Sequence, residues 1–269
     1  MYTYNITMID FTKLAIKNDW HNAVFVFAEE KDLSKLSTAP NITMQFSPYD
    51  EELPIILVLV NSELSAIYDN ALPPNTYILQ LDKNALETAK LSAWEYVLNS
   101  LKLFKSIQYA LFAEWYTVIR QTAGEKAFPL NMNKNPHYDW DHAKIDVDRS
   151  DWYKQMCVTA EQNALCALGV DRRHNTDLLG ITGHVAEPYP MQLVLYNFIN
   201  LRKLDLSLQR THASNYMVRD TVLALQIMAD GGAVNTVPQF TISAPTVTYT
   251  EDDLHIVLEL PKKFKGVLK

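Results

Sequence analysis

A chain of 269 residues with 48% hydrophobic and 20% charged residues can build a substantial core and is not a disordered protein. Its formal net charge of −7 counts against general nucleic-acid binding, which calls for a basic stripe. Its 7 glycines leave little scope for Gly-rich phosphate loops, and the apolar run that contains Pro54–Val60 is far short of the roughly 20 residues a membrane helix needs.

Residues 1–81 alternate between strand-like and helix-like pieces. Tyr2, Tyr4, Ile6 and Met8 fall on one face of a strand, and Asp10–Asn18 suits a short helix. Ala23–Ala28 and Ile42–Phe46 read as strands. Leu53–Val60 is a continuous apolar run of the kind buried on both faces of a sheet. A short helix over Asn61–Ala71, stopped before Pro73 and Pro74, leads to a strand at Thr76–Leu81. This order predicts a small mixed sheet.

The stretch Asn84–Gln121 contains neither Gly nor Pro and predicts one long helix, roughly 55 Å at about 1.5 Å per residue. Asn84 and Glu87 suit a capping box, and Gly124 suits the position after its end. Val97, Leu101, Phe104, Leu111, Trp115 and Val118 form an apolar stripe, widened by Trp94, Leu98, Ile107, Phe112 and Ile119. Residues 122–149, rich in Asn, Asp and Pro, read as a loop. Asp151–Leu168 predicts a second helix, with Ser150 as cap and Gly169 as stop. Pro190 opens a third that runs through Leu208, and Met217–Ala229 resumes the pattern until Gly231 and Gly232. Gln239–Ser243, Thr246–Thr250 and Leu254–Leu260 alternate as strands. The expected fold is α+β. It divides into a mixed region at 1–81, a helical region at 82–232, and a C-terminal β-hairpin with a basic tail at 233–269.

The densest group of possible ligands is His137, Asp139, Asp141 and His142, followed by Asp146, Asp148 and Asp151. Such side chains can hold a divalent metal that activates water. The spacing is not that of a calcium loop: counted from Asp139, Lys144 stands where glycine is needed and Ser150 where glutamate is needed. His184 and Glu187, after Gly180 and Gly183, could form an acid–base pair, although two glycines before a histidine more often make a turn. No zinc-protease, Walker A, dinucleotide or nucleophile-elbow motif occurs. Cys157 and Cys166, read on opposite sides of one helix, cannot bridge and are expected to be free thiols.

The long helix, the aromatic acidic loop and a hairpin in need of docking together favour a structural subunit of a homo-oligomeric assembly, of the kind found as a ring or connector in a virion. Its expected partners are copies of itself or other protein subunits, and Trp94, Trp115, Trp140 and Trp152 are its candidate interface anchors. The alternative is a metal-dependent hydrolase using the cluster between His137 and Asp151. No cofactor is implied. The absence of a secretory leader pattern points to a cytoplasmic or virion location.

Overall fold

The architecture is that of a computed structural model, which describes residues 4–28, 53–60, 76–89, 91–115, 117–121, 151–170, 193–204, 216–237 and 240–243. In chain order the strands are β1 (Tyr4–Ile6), β2 (Asn22–Ala28), β3 (Ile55–Val60), β4 (Thr76–Leu81), β5 (Tyr109–Glu114), β6 (Val118–Gln121), β7 (Leu165–Val170), β8 (Leu193–Asn197), β9 (Ala233–Val237) and β10 (Phe240–Ser243). Eight of them form one sheet in the order β1-β4-β3-β2-β5-β8-β7-β9. Neighbours run parallel throughout, except that β8 is antiparallel to both β5 and β7. β6 and β10 pair separately as an antiparallel ribbon.

Helices cover both faces of the sheet, so its central strands are apolar on both faces along most of their length. Phe25, Phe27, Ile56, Val58, Phe112, Val194 and Tyr196 point to one face. There they meet α1 (Met8–Lys17), α3 (Ala93–Leu103) and α6 (Tyr216–Ala229) through Phe11, Trp94, Val97, Leu98, Leu101, Leu223 and Ile227. Val24, Val26, Ile55, Leu57, Leu59, Leu111 and Leu195 point to the other face, against Tyr153, Met156 and Ala160 of α4 (Asp151–Gln162). Two shorter helices, α2 (Lys83–Ala89) and α5 (Phe198–Leu201), complete the described elements.

The α+β expectation is therefore corrected to a doubly wound, mostly parallel α/β sheet. The largest revision concerns Asn84–Gln121, which is α2, α3, β5 and β6 rather than one helix. Asp82, not Asn84, opens α2: its Oδ1 accepts from Asn84 N at 2.8 Å. A capping box restarts the chain at Ser92, whose hydroxyl accepts from Glu95 N at 3.2 Å, while Glu95 Oε2 accepts from Ser92 N at 2.8 Å. α3 ends at Phe104, whose backbone is extended.

The other revisions share a cause. The predicted helix Asp151–Leu168 stops at Gln162, turns through Asn163 and Ala164, and becomes β7, with Gly169 inside the strand rather than ending a helix. Leu193–Asn197, expected within the third helix, is β8. In each case an apolar run is shared by a helix end and a strand buried on both sides, and periodicity alone does not separate the two. The expected C-terminal hairpin is corrected at its first strand: β10 pairs with β6. The predicted strands Ile42–Phe46, Thr246–Thr250 and Leu254–Leu260, the helix Asn61–Ala71 and the loop 122–149 lie outside the described residues.

Candidate functional site

The strand order locates a crevice. From β2 the chain steps to β3 and β4 on one side, then returns to place β5 on the other side of β2. At such a reversal the connections leave in opposite directions and open a gap outside the carboxyl ends of the two strands. Here those ends are Ala28 and Glu114. Phe27 and Glu114 are register partners, and Trp115 N donates to Phe27 O at 2.9 Å. Thr117 N then donates to Glu114 O at 3.0 Å, closing a turn that sends β6 away from the sheet. Trp115 and Thr117 are buried, whereas Glu114 is half-buried at the mouth.

Behind the carboxyl ends of β2 and β5 the core is aromatic. Trp94, in the first turn of α3, stacks on Phe27 at 4.9 Å between ring centroids and meets Phe112 edge-on at 5.1 Å. Its indole N–H donates to the Tyr196 hydroxyl at 3.0 Å. These contacts fix the amino end of α3 behind the ends of β2 and β5. The positive end of that helix dipole is already matched within the helix, because the fully buried Glu95 carboxylate is bonded to Ser92 N and, at 2.7 Å, to Ser92 Oγ.

The two edges of the sheet differ in their connections. At the amino edge the returns are tight: residues 18–21 precede β2, Asn163 and Ala164 precede β7, and residues 230–232 precede β9. At the carboxyl edge Thr7 and Asp82 lead β1 and β4 directly into helices, whereas the longer stretches 29–54, 61–75 and 171–192 follow β2, β3 and β7. Binding residues concentrate on the longer connections of a rigid scaffold.

Other titratable groups lie away from this mouth. On the α4 face, burial pushes the Cys157 thiol up to about 12, the Tyr153 phenol well above its ordinary range, and Tyr109 upward as well. Cys166 packs into the core on the opposite face, so the two cysteines are free because the sheet separates them, not because one helix turns them apart.

Of the expected interface anchors, Trp94 and Trp115 lie in the interior, at 1% and 7% exposure. Trp152 falls in the first turn of α4. Trp140 and the candidate metal ligands His137, Asp139, Asp141 and His142 lie outside the described residues, as do His184 and Glu187. Among the described residues no group of three or more His, Cys, Asp or Glu side chains could hold a metal ion. Likewise, no helix among them is long and apolar enough to cross a membrane. Sequence reading missed Glu114. The available signal was a short apolar run ending abruptly in a carboxylate, the mark of a strand end.

No protein-family model and no curated protein matches the chain. Solved structures do align with it. A galactosyltransferase, LgtC, in complex with donor and acceptor sugar analogs, aligns at 11% identity and TM-score 0.40, over 80% of this chain and 72% of that one. S. aureus TarS 1–349 aligns at 10% identity and TM-score 0.47, over 91% of this chain and 64% of that one. The mannosyltransferase PcManGT from Pyrobaculum calidifontis, in complex with GDP-Man and Mn2+, aligns at 11% identity and TM-score 0.40, over 97% and 79%.

The expectation of a virion or ring subunit is corrected here. Its main premise was a long helix with more apolar surface than one fold could cover, and that helix does not exist. Trp94, Val97, Leu101, Leu111, Phe112 and Trp115 are all buried within the chain. The metal-dependent hydrolase is set aside as well: but for Asp151 its ligands lie outside the described residues, among which no group of three or more possible ligands could hold a metal ion.

Proposed function

We propose that this protein binds a nucleoside diphosphate sugar in the crevice outside the carboxyl ends of β2 and β5 and transfers the sugar to an acceptor. The reversal of strand order between β2 and β5 carries the reading, because open parallel sheets take nucleotides at that place. Glu114 is the residue assigned to the donor. A carboxylate at the end of a strand accepts hydrogen bonds, which suits ribose or sugar hydroxyls. The Glu114–Thr117 turn and the packing of Trp115 hold it at the mouth. One carboxylate supplies too few oxygens for a divalent ion, so the described residues do not by themselves form a metal centre. The choice of a sugar-bearing nucleotide follows the ligands of the aligned structures, which include UDP with TarS and GDP-Man with PcManGT. Those likenesses name the compounds to try.

Calorimetric titration with UDP, GDP and their sugars, with and without Mn2+, tests the proposal. Saturable binding of at least one compound is expected. Glu114→Ala should weaken it by about tenfold or more, equivalent to at least about 1.4 kcal/mol, in protein whose circular dichroism shows it to be folded. Absence of binding by every nucleotide in the folded protein would overturn the reading.

A further inference from the structure

We draw no further inference here: the strongest candidate, the exposed apolar pair Ile9 and Ile16 on the outer face of α1, carries nothing because nothing in the structure shows what covers it.

Discussion

Arg202 shows how one side chain can end a helix in another part of the chain. It follows α5, and its guanidinium donates to four carbonyls at and beyond the end of α3: Lys102 at 3.2 Å, Leu101 at 3.1 Å, Ile107 at 2.7 Å, and Phe104. The same group lies over the Phe198 ring at 5.3 Å. Burial lowers its pKa, but a guanidinium keeps its charge. Arg202→Ala should cost about 2 kcal/mol, read as a lower urea midpoint. Arg202→Lys should recover little, because one ammonium cannot reproduce a planar fork over carbonyls set apart in this way. Cys157 makes a second prediction. Its folded pKa of about 12 lies above its ordinary value of 9.0, so the unfolded chain loses this proton first as pH rises. The resulting contribution is fully present below about pH 9 and falls away between there and about 12. Urea midpoints measured at pH 8 and above pH 10 should therefore decline less steeply in Cys157→Ala than in the parent. Equal declines would remove Cys157 as a cause.

At the scale of elements, the boundaries of α3 and β9 depend on local chemistry that composition does not reveal. The Ser92–Glu95 capping box separates α2 from α3. Ser92→Ala should cost about 1 kcal/mol, and the loss should be non-additive with Glu95→Gln in a double-mutant cycle. Additive losses would mean that the two side chains act independently. Before β9 the constraint is steric. A Cβ on Gly232 would lie 2.7 Å from Ile227 Cγ2, 2.7 Å from Leu204 Cδ1 and 3.0 Å from Cys166 Sγ. Ile227 is fully buried and β-branched, so it cannot swing aside. Gly232→Ala should destabilise by about 1–3 kcal/mol, whereas Gly231, at φ 84°, has open space around it and resists substitution through its backbone conformation alone.

At the scale of the whole molecule, one sheet takes strands from nearly the full described length, from β1 at Tyr4–Ile6 to β9 at Ala233–Val237. Neither sheet edge follows chain order: β1 pairs with β4, and β9 pairs with β7. Removing any sequence third would strip partners from the others. Unfolding followed by far-UV circular dichroism and by tryptophan fluorescence should therefore give coincident transitions. A separate early transition would show that part of the sheet stands alone. The same interleaving sets the crevice between β2 and β5, whose two ends are distant in sequence and adjacent in space.

The amino-acid sequence by itself determined the strands with clear borders and one helix with a clear end. Thr76–Leu81 is β4 as expected, Ala23–Ala28 lies within β2, and Met217–Ala229 lies within α6. Their signals are local: alternation, an apolar run bounded by turn residues, a glycine pair at the end. What only the tertiary structure decided is whether Tyr109–Glu114 and Leu165–Val170 are strands. Apolar side chains fit a helix stripe and a doubly covered strand equally well, and the neighbours that cover the second face come from remote parts of the chain. The site was hidden for the same reason. Glu114 is an ordinary glutamate in a helical reading. It becomes the mouth of a crevice once β2, from a remote stretch of the chain, lies beside it.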